Sequence, residues 1–248
     1  MHYPLGGIGR IFWIRMKTKN YLFLSILFLQ GCSFIDTSRI APGYSQALEA
    51  ISKVYMGYPD TINADLVAEI PYASMKLRFG NGPTGLTILE SLFNYNYTWV
   101  SSDGVILIIR NGKIIETAGL SNNLKATVHP FNNAFEQIRN AEKELTYKGY
   151  LSFSEPNLNE LEVFYSYEHK GKQKVMTTLG EKNFYLIEER FNSPVINWKG
   201  TNKYWVDDDN FVMLSEQSIS PRLPVAYLEV TKKPSIWGLF FGRKLEIN

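Results

Sequence analysis

The residue whose chemistry is easiest to assign is Cys32, the only cysteine among 248 residues. With no second thiol, neither an internal disulfide nor a Cys-based metal site can form. The thiol instead closes a three-part segment. Met16-Lys17-Thr18-Lys19-Asn20 is a short basic stretch, Tyr21 to Leu29 (YLFLSILFL) is apolar, and Leu29-Gln30-Gly31-Cys32 follows at once. This is the layout of a secretory signal. The apolar run is too short to cross a bilayer, which takes roughly 20 residues. Its ending is not A-x-A but Leu-x-Gly-Cys, which resembles the lipobox cut by the lipoprotein signal peptidase. Gly31 supplies the small residue before the cut, and the Cys32 thiol is the group that carries a diacylglyceryl thioether. Gln30 departs from the small or β-branched residue usual at that position. Cleavage between Gly31 and Cys32, with lipidation and palmitate-type acylation on Cys32, is therefore expected. Several acyl chains make a firm anchor, since each buried CH₂ contributes about 0.8 kcal/mol. Residues 1–15 fall outside this layout and read as an upstream extension before a start at Met16.

Other constellations are weaker. Gly80-Asn81-Gly82-Pro83-Thr84-Gly85 matches G-x-G-x-x-G. A dinucleotide fingerprint must open a helix whose N-terminus meets the pyrophosphate. Here Leu86-Thr87-Ile88-Leu89 follows, which reads as a strand, so a glycine-rich hairpin loop is expected. After residue 31 the histidines are His129 and His169, in no zinc-ligand spacing. No G-x-S-x-G elbow is present. Asp207-Asp208-Asp209-Asn210 lacks the alternation, central Gly and closing Glu of a calcium loop. It reads as a solvated turn. Trp99, Trp198 and Trp205 fall in predicted strands and are expected in the core rather than on a glycan platform. Trp237 lies in Ser235 to Phe241 (SIWGLFF), an apolar stretch suited to packing, membrane contact or a partner. The sequence assigns no catalytic residue, cofactor or metal ligand.

The elements that must carry these residues are mostly strands. Aromatics make up 14% of the chain, and with many Val, Ile and Thr they favour β-structure. Tyr44 to Tyr58 has apolar residues at helical spacing, so one N-terminal amphipathic helix is predicted, ending at Pro59-Asp60. From Ile70 the pattern changes. Ser74–Phe79, Leu86–Leu92, Tyr95–Ser101, Val105–Arg110 and Lys113–Thr117 read as strands. Asp103-Gly104 and Asn111-Gly112 supply the φ > 0 residues of tight hairpins. Val105 to Ile109 is apolar without alternation, which suggests cover on both faces. Residues 121 to 144 are less regular, with a short helix over Asn133–Glu144. Strands resume at Tyr147. Leu161, Val163, Tyr165 and Tyr167 alternate with polar residues, His169–Lys172 reads as a turn, and Lys174–Leu179 returns. Phe184–Phe191, Val195–Lys199, Tyr204–Val206, Phe211–Glu216 and Val225–Val230 follow. The fold class is mainly β: an antiparallel meander forming a barrel or sandwich, its two meanders split at 121–144 into sub-sheets, with the N-terminal helix covering an open side. The domain plan is signal peptide 1–31, lipidated tether 32–43 and a mostly β periplasmic domain 44–248.

Charge excludes one partner class. The chain carries 26 bases and 24 acids; the four bases Arg10, Arg15, Lys17 and Lys19 leave with the signal, so 22 bases face 24 acids. A mature charge near −2 offers no clustered basic footprint for nucleic acid.

Three segments together resemble the YjbF/GfcB family of outer-membrane lipoproteins, associated with exopolysaccharide and group 4 capsule production. They are Ile70-Pro71-Tyr72-Ala73-Ser74-Met75 running on to Arg78; Trp99-Val100-Ser101-Ser102-Asp103-Gly104 through Arg110-Asn111-Gly112-Lys113 to Gly119-Leu120; and Asn202 to Asp207 (NKYWVD) with Ser220-Pro221-Arg222-Leu223-Pro224. The resemblance implies a mostly β periplasmic domain with no established catalytic residues. It implies an accessory role in polysaccharide export or assembly, with export-machinery proteins, and the polysaccharide itself, as partners. Ser33, where Asp would retain a lipoprotein in the inner membrane, implies outer-membrane sorting by the same kind of resemblance. Two rival expectations stand beside this non-enzymatic reading. A lipid- or glycan-binding carrier needs an apolar cavity or exposed aromatics. A polysaccharide-modifying enzyme needs two carboxylates facing one cleft.

Overall fold

The computed structural model describes residues 60–129, 134–141 and 144–234. Gly31, Cys32, the tether, the predicted Tyr44–Tyr58 helix and Trp237 lie outside the described residues. The first described element is a short helix, α1 (Ala64–Glu69), which the sequence reading did not anticipate. Asn63 caps it by accepting from the Leu66 N–H at 2.9 Å. Only Val67 of this helix is buried.

Twelve strands follow: β1 Ser74–Phe79, β2 Gly85–Phe93, β3 Asn96–Ser101, β4 Ile106–Arg110, β5 Lys113–Ala118, β6 Leu124–Val128, β7 Leu145–Phe153, β8 Leu158–Thr177, β9 Gly180–Ser193, β10 Trp198–Val206, β11 Val212–Gln217 and β12 Ala226–Lys232. A second helix, α2 (Ala134–Asn140), joins β6 to β7. The strands form one sheet, β5-β4-β3-β2-β1-β12-β11-β10-β9-β8-β7-β6. The predicted pair of sub-sheets is thus corrected: β1 pairs antiparallel with β12, Met75 opposite Val230 and Leu77 opposite Leu228, and this ladder joins the two meanders. Strands β5 and β6 end the order but lie side by side. Side chains stitch them: Thr127 Oγ1 donates to the Ile115 carbonyl and the Leu124 N–H donates to Thr117 Oγ1, each at 2.9 Å. The result is a nearly closed antiparallel barrel. The near approach of β5 and β6 covers the two free edges that make open sheets sticky, without a backbone ladder between them.

Alternation sets which side chains point inward. In β4, Leu107 and Ile109 are buried while Ile106 and Ile108 are half-buried, so the expected cover on both faces is only partial. Asn111 and Gly112 both have positive φ, 48° and 75°, which is the two-residue turn their sequence predicts. A Cβ on Gly112 would sit 2.2 Å from Val212 of β11. The β4–β5 turn therefore touches the opposite wall, and only glycine fits there.

Two predicted boundaries move. His169–Lys172 is not a turn. It is a bulge inside β8, where the register to β9 shifts and Gly171 takes positive φ. The chain reverses at Thr178-Leu179, between the paired Thr177 and Gly180. The long β8–β9 arm brings this tip to the outer face of β1 and β12. There the Thr178 N–H donates to Glu229 at 2.6 Å, and Lys76 donates to Thr178 Oγ1 at 3.0 Å. Val195–Lys199 is not a strand either. Pro194–Ile196 is a 3-10 turn, because proline has no N–H for a ladder, and β10 begins at Trp198.

Candidate functional site

The barrel interior divides into two halves with Phe135 of α2 between them, lining a space on each side. Helix α2 lies at the end of the barrel marked by Met75 and Val230, where Phe135 and Ile138 are buried. The Phe135 ring lies 5.0 Å from that of Tyr204. Arg139 holds the helix to the β10–β11 turn. Its guanidinium lies 4.0 Å over the Tyr185 ring and donates to Asn210 Oδ1 at 2.7 Å.

One half holds a cavity that is apolar in its depth and polar at its mouth. Met75, Trp99, Ile109, Leu228 and Val230 line a cavity of about 250 Å³. Each of these is buried, Met75 and Trp99 to 1% and 2% exposure. The cavity reaches the surface beside Glu136 and Asp209, both exposed. Asn111 and Asn210 stand with them in the lining.

The other half is polar and nearly solid; its spaces are about 40 and 20 Å³. At its centre Glu189 of β9 has 0% exposure. Its Oε2 accepts from Lys113 of β5 at 2.6 Å and from the Tyr167 hydroxyl; its Oε1 accepts from Asn202 of β10 at 2.6 Å. Tyr167 has one proton and gives it to the carboxylate, so the 2.9 Å contact with His129 Nε2 is assigned as the imidazole N–H donating to the phenol oxygen. Gln217 of β11 bridges the barrel: its Oε1 accepts from the Ile114 N–H at 3.0 Å, and its Nε2 donates to the Gly112 carbonyl at 2.8 Å.

Burial governs the protonation of this cluster. It pushes Lys113 down from its usual range, while the Glu189 charge pulls the other way. Burial, then the Lys113 charge, lowers His129 to about 2, so its imidazole is neutral. Tyr165, Tyr167 and Tyr204 are held well above the usual phenol value, first by burial and then by Glu189. Perturbed groups can mark function. Here the buried carboxylate is engaged by three protein donors, as a cross-barrel tie would be.

The residues singled out from sequence do not converge. Gly80–Gly85 connects β1 to β2, and the strand after it offers no helix N-terminus. His129 packs on Tyr165 and Tyr167, whereas His169 packs on Tyr185. Among the described residues no His/Cys/Asp/Glu group is arranged to hold a metal. Asp207 shapes its own turn, accepting from the Asp209 and Phe211 N–H groups at 2.9 Å each, and it pairs with Lys233. Trp99 is core, and Trp198 packs 4.6 Å from Phe191. Trp205 is a correction. Its neighbours Tyr204 and Val206 point inward, so it faces out, half-buried, into a cleft of about 290 Å³ that it shares with Tyr227 and Arg78. Alternation alone could have shown this. Glu189 was also missed, although it lies on the same face as Ile187 and Phe191.

These features define a single-chain meander barrel with one helix-capped end and a partly empty interior. Within that class the chain belongs to the YjbF family, described as "Group 4 capsule polysaccharide lipoprotein gfcB, YjbF", which matches residues 48–231. It is 29% identical over 127 residues to the uncharacterized lipoprotein GfcB of Escherichia coli K12, covering 48% of this chain. The match spans about half of that relative's length, 52%. It is 21% identical over 201 residues to the uncharacterized lipoprotein YjbF of the same organism, covering 79% of this chain and 89% of the relative. The crystal structure of the hypothetical lipoprotein YmcC from Escherichia coli K12 has the same fold, at a TM-score of 0.61 and 19% identity, covering 76% of this chain and 96% of that one. Among the described residues no helix is long and apolar enough to cross a membrane.

Proposed function

We propose that this chain serves capsule or exopolysaccharide export or assembly as a non-enzymatic accessory lipoprotein. Lipid on Cys32 holds it at the outer membrane, with the barrel in the periplasm. Its partners are proteins of the polysaccharide-export machinery, and it meets the polysaccharide there. The observation that carries this reading is the match to the capsule-lipoprotein family over residues 48–231, which spans all twelve strands but for the last residue of β12. The engagement of Glu189 by Lys113, Tyr167 and Asn202 supports a structural rather than catalytic use of the buried charges. Deleting the gene is expected to reduce surface polysaccharide, and the full chain is expected to restore it while a Cys32→Ala variant does not. Unchanged surface and secreted glycan in the deletion strain sinks the proposal. Palmitate labelling that persists in Cys32→Ala sinks the anchor.

A second reading, a carrier for a lipid or glycan, is favoured by one observation. The interior holds a surface-open cavity of about 250 Å³ with apolar walls in its depth, where a plain structural barrel would be filled.

A further inference from the structure

The apolar half of the barrel has a depth and a rim of different chemistry. We propose that it binds the alkyl chain of a single-chain glycolipid, with an uncharged, hydroxyl-bearing sugar head seated at the Glu136–Asp209 rim. The inference rests on the carrier reading and names its ligand class.

The depth selects an alkyl chain. Ile109, Leu228 and Val230 present hydrocarbon and Met75 a thioether; the polar groups at depth are few, the Trp99 indole N–H and the Ser215 hydroxyl, which already accepts from Gln217 at 2.9 Å. The space, about 250 Å³ and open at the rim, is large enough to admit an alkyl chain from the surface. A methylene chain makes dispersion contacts along the apolar part of this wall. Phe135 separates the cavity from the Lys113–Glu189 cluster, so the end of the chain meets no buried charge.

The rim selects the head. The charged residues lining the cavity, Glu136 and Asp209, are both acids, and Asn111 and Asn210 stand beside them. Carboxylates only accept hydrogen bonds, and amides both accept and donate. Sugar hydroxyls satisfy such a set. A carboxylate or phosphate head would sit against like charge. Two cations stand near the rim: Lys233, 3.5 Å from Asp209 but also paired with Asp207, and Arg139, which donates to Asn210 and stacks on Tyr185; against Glu136, Asp207 and Asp209 they offset the negative charge only in part.

The test is native mass spectrometry of the full chain in a zwitterionic detergent, with octyl glucoside or decanoate added and the detergent then stripped. A retained octyl glucoside adduct is expected, with no decanoate adduct. Glu136→Gln and Asp209→Asn, both at exposed positions, are each expected to weaken glucoside retention about tenfold, the loss of a charge-assisted hydrogen bond. Val230→Phe is expected to abolish it by filling the chamber. Equal retention of both probes overturns the head-group assignment and leaves the carrier reading standing. Unchanged glucoside retention in the rim variants or in Val230→Phe, provided the variant is folded by circular dichroism, overturns the site. Retention of neither probe overturns inference and carrier reading together.

Discussion

The two halves of the barrel interior solve the same packing problem in opposite ways. Around Glu189 the strands contribute long polar side chains that reach across and satisfy one another, leaving spaces of only about 40 and 20 Å³. Around Trp99 they contribute apolar side chains that stop short and leave about 250 Å³. A buried ion pair brings little net stability, because desolvation offsets its attraction, but breaking it leaves an uncompensated charge. The polar half is therefore rigid and intolerant of change. The apolar half has room to adapt. If the molecule holds a ligand, the fixed half gives the other its shape.

The largest expected effect tests the polar half. Glu189→Ala strands the Lys113 ammonium, and urea unfolding should show a loss of about 3–5 kcal/mol. The double replacement Glu189→Met, Lys113→Met should recover most of it; no recovery would mean that the pair does more than neutralise itself. Next is the contact between walls. Gly112→Ala combines a positive φ with a Cβ 2.2 Å from Val212, and a cost of about 2–3 kcal/mol is expected in the same assay.

His129 gives a pH signature. Its folded pKa of about 2 lies below its ordinary value of 6.5. Below pH 6.5 the unfolded chain takes up a proton that the folded chain refuses. Stability is therefore full above that pH and falls as the pH drops toward 2, by at most about 1.4 kcal/mol per unit from this group. His129→Gln should flatten the fall in the stretch above the carboxylate range. An unchanged slope there would remove His129 from the neutral network. The smallest effect sharpens the contrast between filled and unfilled regions. Val163→Ile, at a site with 0% exposure that lines neither space of the polar half, should cost about 1–2 kcal/mol. Val230→Ile, facing the cavity, should cost less than about 1 kcal/mol or stabilise.

Much of the barrel can be read from local sequence. Asn111-Gly112 dictates its turn because few residue pairs tolerate two positive φ values. Ser74–Phe79 is bounded by the glycine-rich loop and emerges as β1 without change. Strand β6 escapes although Leu124-Lys125-Ala126-Thr127-Val128 alternates apolar and polar residues, because the run is only five residues long and Leu124 alone is buried. The bulge at 169–172 imitates a turn in composition, and only pairing with β9 tells them apart. The site is harder. Lys113, Tyr167, Glu189, Asn202 and Gln217 come from five strands, and no spacing rule links them. What the sequence does carry is parity. Glu189 falls between Ile187 and Phe191 on an apolar face, and Trp205 falls between two inward residues on a polar one. The empty volume has no sequence signal, since it depends on where several side chains end.

The pairing of β1 with β12 also bears on how the molecule is made. Among the described residues all other ladders join neighbours in sequence, and each can zip once its connection, a short loop or, for β6 and β7, the segment with α2, has formed. Between β5 and β6 no ladder forms, so the backbone bonds uniting the first five strands with the last seven run through this single pair. The edge of β1 must wait, unpaired, until the final strand has been delivered. For a chain threaded across a membrane from its N-terminal end, that wait lasts nearly the whole of translocation. It is the interval in which an exposed edge invites the wrong partner, and in which a chaperone would matter most.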